Sequence, residues 1–375
     1  MDALTEEQLL LSESVQRFVE SEYTFAKRQT LSRSERGFSD SNWKTFAELG
    51  WLGLPFSEAD GGFDGGAVES AIMMENFGRG LVVEPYLATV LLAGSAIKHA
   101  GSSEQKERLI PPIVAGEAHG ALAFVESQSR FNLADIETTA ARDGNGFVLN
   151  GAKSMVLNGP AADFVIVSAR SAGNTRDLDG ISLFVVDTAT PGLGKREYPT
   201  VDGGRAAEVT MDNVHVTADA LLGDEGNGLA TLQRATDEGL LAVCAEAVGC
   251  MEVLYKDTVE YCKNRKQFGQ PIGKFQVLQH RMADMFMEYE QSRSLLMMAA
   301  THLDAGYDEG TRKVLSALKV QVGKSGRFVG QNAIQLHGGM GMTDELNIGH
   351  YFKRLTAIDV LFGNIDFHLR RFSAS

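Results

Sequence analysis

Four cations, Lys263, Arg265, Lys266 and Lys274, are concentrated between Tyr261 and Phe275 of an otherwise acidic chain. Gly269 and Pro271 break this stretch, so the cations stand around a turn between two helices. Their chemistry is that of an anion grip: Arg265 offers a planar fork of donors that suits a pyrophosphate. A solvated helix end, with cations facing its C-terminal dipole, is the plainer reading. A second segment tips the balance. Gln335 is followed by Gly338, Gly339 and Gly341 after a long helical pattern, and paired glycines let backbone N–H groups approach a ligand closely.

The elements that position these residues come in three blocks. Residues 1–118 read as helices, with apolar positions at helical spacing over Glu6–Phe25, Phe46–Leu54 and Ala67–Phe77. Gln105–Val114 reads as a short helix interrupted at Pro111 and Pro112. Residues 119–226 read as strands near Phe147, Phe164, Ile181 and Glu208, with no helices between them, which predicts an antiparallel sandwich or barrel. Residues 227–375 return to helix: Leu229–Asn264, Phe275–Ala305, Glu309–Leu336, and a fourth from about Asn347.

Composition narrows the function. Lys and Arg number 35 against 49 Asp and Glu, a net charge of −14, which argues against general nucleic-acid binding. Cys244, Cys250 and Cys262 lack metal-type spacing and read as buried reduced thiols, which fits a cytoplasmic setting. No stretch reads as a membrane span or a secretory signal. Gly323-Lys324-Ser325 imitates a phosphate loop but lacks its first glycine, since Leu318 stands there, and reads as helix surface. The histidines show no ligand spacing, so no metal is expected; His280 and His337 read as structural.

Together the two glycine-bearing segments resemble the RxxFGxPI and QxxGGxG stretches of the acyl-CoA dehydrogenase family, and the likeness extends over nearly the whole chain. It implies a mostly α fold with a central β domain: an N-terminal helical domain, a β-barrel-like middle domain and a C-terminal four-helix bundle. It implies FAD as cofactor, an acyl-CoA substrate, a tetramer, and an electron-transfer flavoprotein as acceptor. Arg265, Gln267, Phe268, Gln276, Gln335, Gly338 and Gly339 match the positions that hold the ADP half of FAD and reach toward a neighbouring subunit's flavin.

The departures from the family pattern carry as much information. Family members carry a catalytic Glu in an I-Y-E-G-T pattern; Gly363 sets the register here and puts Phe362 in that place. Other members use the first helix of the C-terminal domain, where Gly239 aligns and Glu238 is adjacent; a base displaced by one residue and an exposed helix-start carboxylate both remain open there. Glu246, among apolar neighbours, is open to two readings, a second candidate for the chain's own base or a buried paired acid. On the flavin side, Val125 and Ser127 stand in the stretch aligned with T-E-P-x-A-G-S-D, while Met155 and Leu157 replace the Trp and Thr of K-x-W-I-T-N. Positions reaching into a neighbour's site are kept, and those serving the chain's own flavin are altered. That pattern resembles the small subunits of pimeloyl-CoA dehydrogenases and other heteromeric members, and implies one subunit of a heteromeric enzyme on medium-chain or dicarboxylic acyl-CoA. A silent partner subunit, or different chemistry on an acyl-CoA, are the alternatives.

Overall fold

Thr5 opens the first helix: its hydroxyl accepts the Gln8 N–H at 3.2 Å, and the Gln8 side chain accepts the Thr5 N–H at 3.0 Å. This reciprocal cap satisfies donors that a helix start otherwise leaves bare. The computed structural model describes residues 4–374. Its first third is helical: α1 (Glu6–Glu22), α2 (Phe25–Arg33), α3 (Asp40–Glu48), α4 (Ala67–Gly80), α5 (Gly94–Ala100) and α6 (Ser103–Val114). Pro111 and Pro112 do not interrupt α6. They sit in its last turns, and their carbonyls still accept the N–H groups of Ala115 and Glu117.

Strands follow: β1 (Gly120–Ala123), β2 (Thr139–Asp143), β3 (Gly146–Leu157), β4 (Phe164–Arg170), β5 (Ile181–Asp187), β6 (Leu193–Pro199), β7 (Arg205–Thr217) and β8 (Leu221–Leu222). The order across the sheet is β6-β7-β3-β2-β4-β5-β8, with β1 beside β4. The expected antiparallel pairing dominates, but β1 runs parallel to β4, and β2 meets β4 in parallel at Thr139. Parallel neighbours need a long connection, and residues 124–163 supply one from β1 to β4. Phe147, Leu149, Val165, Val167, Phe184, Val186 and Val209 form the core of this sheet, at alternate positions on each strand.

The remainder is α7 (Gly228–Asn264), a small hairpin of β9 (Lys266–Gln267) and β10 (Gln270–Pro271), then α8 (Gln276–Ala305), α9 (Glu309–His337), α10 (Ile348–Val360) and α11 (Ile365–Ala374). The helix expected from Asn347 is thus divided in two at residues 361–364, where Phe362 and Gly363 take positive φ angles of 57° and 109°. Gly323 and Ser325 of the false phosphate loop face inward on α9 rather than lying on its surface; Ser325 Oγ donates to Glu288 Oε2 at 2.5 Å. Packing divides the chain into two units: Met1–Thr30, Gly66–Val82 and Leu240–Ser375 form one, and Leu31–Gly65 and Val83–Gly239 the other. Cys244, Cys250 and Cys262 are buried free thiols in the first.

Candidate functional site

The cationic turn is a two-residue hairpin. Gln267 pairs with Gln270, and Phe268 and Gly269 between them take left-handed φ angles of 52° and 78°. That twist matches the flanking strands and explains the glycine. It also lifts Phe268 into solvent, 90% exposed, with Phe275 edge-on at 6.1 Å. Arg265, Lys266, Gln267, Lys274 and Gln276 are exposed around it.

The second segment comes to the same end of the helices. The Tyr261 ring lies 4.3 Å from that of His337, and Arg281 Nη1 donates to Asn332 Oδ1 at 3.4 Å. Thus the end of α7, the start of α8 and the end of α9 are tied together, with Gln335, Gly338 and Gly339 exposed beside them. His337 Nδ1 donates to the Ala333 carbonyl, 2.8 Å away, and burial holds its pKa below the usual histidine range, in keeping with a structural role. Gly338 has φ 60°, and a Cβ on either Gly338 or Gly339 would meet no atom within 4 Å. The space above them is open to a ligand. A guanidinium, two ammonium groups and three carboxamides make this surface a fit for the pyrophosphate and adenosine half of a dinucleotide.

In the other unit, the segment carrying Val125 and Ser127 is stitched to the segment carrying Met155 and Leu157. The Val125 carbonyl accepts the Ser154 N–H at 2.8 Å. Beneath it Lys153, fully buried, donates to Glu126 Oε1 at 2.6 Å and Ser168 Oγ at 3.1 Å. Glu126 also accepts the N–H groups of Glu137 (2.7 Å) and Thr138 (3.1 Å) and the Gln128 amide (2.8 Å). Burial alone would raise its pKa; Lys153 and these donors outweigh burial and bring it to about 2. Sequence reasoning missed this pair, whose one signal was a lysine and a glutamate inside strand-like apolar runs. A bulge between Lys153 and Val156 puts Met155 at φ 55° and leaves it 39% exposed; Tyr198 Oη lies 3.7 Å from its sulfur. Ser127 is exposed, and Val125 and Leu157 are half-buried. Of these four side chains only Ser127 carries a hydroxyl donor; the other three are apolar.

The three positions considered for a base are each accounted for. Phe362 is half-buried on a firmly held turn: His368 Nε2 hydrogen-bonds its carbonyl at 2.9 Å. Glu238 is not the exposed helix-start carboxylate of the plainer reading. Ser95 Oγ (2.6 Å), His99 Nε2 (2.8 Å) and Arg234 Nε (3.0 Å) converge on it. Burial would raise its pKa, but these partners outweigh it and bring the carboxyl to about 2. A carboxylate that weakly basic is poorly matched to proton abstraction near neutral pH. Glu246 is buried and paired: Arg354 Nε and Nη2 each donate to one of its oxygens at 2.6 Å, a bidentate fork. Among the described residues no cluster of three or more His, Cys, Asp or Glu could hold a metal ion, and no helix is long and apolar enough to cross a membrane.

Models of the acyl-CoA dehydrogenase N-terminal, middle and C-terminal domains match residues 5–117, 121–214 and 226–375. The chain is 31% identical to acryloyl-CoA reductase (NADH) of Anaerotignum propionicum over 98% of its own length and 93% of that protein's. Its fold superposes on butyryl-CoA dehydrogenase from Megasphaera elsdenii with a TM-score of 0.91 and 27% identity, over 100% of this chain and 99% of that one. The steroid ACAD Tcur3481-Tcur3483 gives a TM-score of 0.88 at 29% identity, over 98% and 97% of the two chains. The three matched domains cover the helical, β and helical blocks in turn, and this chain is a member of the acyl-CoA dehydrogenase family.

Proposed function

We propose that this chain is one subunit of a heteromeric, FAD-dependent acyl-CoA dehydrogenase and has no working α-proton base of its own. The carrying observation is Phe362, a side chain without a lone pair on the turn where the family pattern places its carboxylate. The other two acids are committed, Glu238 to three partners and Glu246 to Arg354. FAD, when bound, supplies the acceptor for the β hydride of the thioester. The surface of Arg265, Gln267, Phe268, Gln276, Gln335, Gly338 and Gly339 would hold its ADP half. In a heteromeric assembly that surface serves the flavin of a related chain bearing the Glu. Val125, Ser127, Met155 and Leu157 would face this chain's own flavin through backbone donors and apolar contact, an edge poor in hydroxyl donors.

The steroid ACAD is named for two gene products, which supports a two-chain arrangement here as well. The substrate class is an acyl-CoA thioester, medium-chain or dicarboxylic, with an electron-transfer flavoprotein as acceptor and the cytoplasm as setting. Co-expression with a related subunit that carries the I-Y-E-G-T glutamate tests the reading. A stable mixed oligomer with turnover absent from this chain alone supports it. A homotetramer of this chain with full turnover contradicts it.

A further inference from the structure

Phe362 holds a bulky side chain at φ 57°, a conformation that only a firm surrounding structure sustains. That structure is visible. Lys319 of α9 is 1% exposed, and its ammonium donates to the carbonyls of Ile358 (2.8 Å), Asp359 (3.1 Å) and Gly363 (2.7 Å). It therefore clamps the last turn of α10 to the residue after Phe362, where a cation also suits the helix C-terminal dipole. His368 of α11 holds the Phe362 carbonyl from the other side. Gly363 has no room for a side chain: a Cβ there would lie 2.5 Å from Phe367 Cδ1 and 2.6 Å from His368 Nε2. These buried groups hold the backbone on either side of residue 362 through its own carbonyl and those of Ile358, Asp359 and Gly363.

We propose that Lys319, assisted by His368, is a positioning residue that fixes the left-handed turn at 362, and that this mount stays competent to present a base although Phe occupies it. The chemical half of the proposal rests on the function proposed above; the geometric half does not. A carboxylate installed at 362 would take the α proton of a bound acyl-CoA: the Cα–H bond breaks, an O–H bond forms, and the electron pair passes to the thioester enolate. Return of a deuteron from D2O restores the thioester, so this exchange consumes no oxidant.

The test uses the full chain as Phe362→Glu, Phe362→Gln and Phe362→Glu with Lys319→Met. Crystal structures read φ at 362. Left-handed backbone in Phe362→Glu, lost with Lys319→Met, is the expected result; left-handed backbone that survives Lys319→Met overturns the positioning role. If the Lys319 variant does not fold, His368→Leu replaces it in the same comparison, with the same two results deciding. Deuterium exchange into octanoyl-CoA, on the FAD-reconstituted chain, reads the chemistry. Phe362→Glu should exceed Phe362→Gln by at least about tenfold, and Lys319→Met should remove that gain at unchanged octanoyl-CoA affinity. Equal exchange in the Glu and Gln variants, with octanoyl-CoA bound, overturns the competent mount. Exchange by the wild-type chain would instead contradict the function proposed above, and leaves the φ comparison to decide the positioning role.

Discussion

Arg354 grips Glu246 through two parallel hydrogen bonds of 2.6 Å, joining α10 to α7 where the glutamate side chain is only 5% exposed. Breaking such a pair from one side strands a buried charge. Arg354→Met should destabilise the chain by about 3 kcal/mol, and Glu246→Gln by less, since an amide keeps one acceptor. Urea unfolding of both variants measures this. Near-equal stability of Arg354→Met and wild type would show that the pair contributes little.

Glu238 makes a pH-dependent contribution with a definite sign. Its folded pKa is depressed to about 2 from an ordinary 4.5, so its stabilisation is present above about pH 4.5 and is lost as pH falls toward 2. Glu238→Gln should flatten the stability profile across that window and lower stability at pH 7. Because the carboxylate serves His99, Ser95 and Arg234, the variant should not change any turnover of the assembled enzyme. Loss of turnover at unchanged stability would make Glu238 a base after all.

Glu84 has the opposite sign. It is 6% exposed, with Oε1 accepting from Ser39 N (3.2 Å) and Asn42 Nδ2 (3.1 Å) while buried Oε2 has no hydrogen-bond partner. Burial pushes its pKa up to about 7, so the folded state keeps a proton that the unfolded state releases above about pH 4.5. Stability from this group falls between about pH 4.5 and 7 and then stays level. Glu84→Gln should match wild type near pH 4.5 and exceed it at pH 8 by about 3 kcal/mol. Thermal melts at the two pH values decide; a variant less stable at pH 8 contradicts the argument.

The exposed hairpin predicts a separation of binding from stability. Arg265 is a surface side chain, so Arg265→Ala should leave the melting temperature within about a degree of wild type. The same change should lower FAD retention in the assembled enzyme about tenfold, since a charge-assisted fork is lost. Gel filtration followed by flavin absorbance reads the retention. Unchanged retention would remove Arg265 from the cofactor surface.

The legible parts of this chain were those carried by period and by glycine. Long helices such as α8 and α9 repeat their apolar face many times, and the structure ends them within a residue or two of the sequence reading. Gly363 set the register that singled out Phe362, and the structure explains why only glycine fits there. Short elements were not legible. β1 is four residues, all buried, with no alternation to count, and β6 is a half-exposed edge strand. Nor were pairings distant in sequence: nothing in the local pattern around Glu246 points to Arg354, 108 residues on, nor around Glu126 to Lys153. Glu238 was read from its helix alone, whereas its surroundings come partly from Ser95 and His99 on another helix.

The claim that this chain lacks its own base is tested most directly by anaerobic titration of the chain, purified alone and reconstituted with FAD, with octanoyl-CoA and a dicarboxylic acyl-CoA while the flavin absorbance is followed. The account predicts flavin that is retained without bleaching, or not retained at all, and bleaching only when a related subunit bearing the glutamate is added. Bleaching by the chain alone would contradict it.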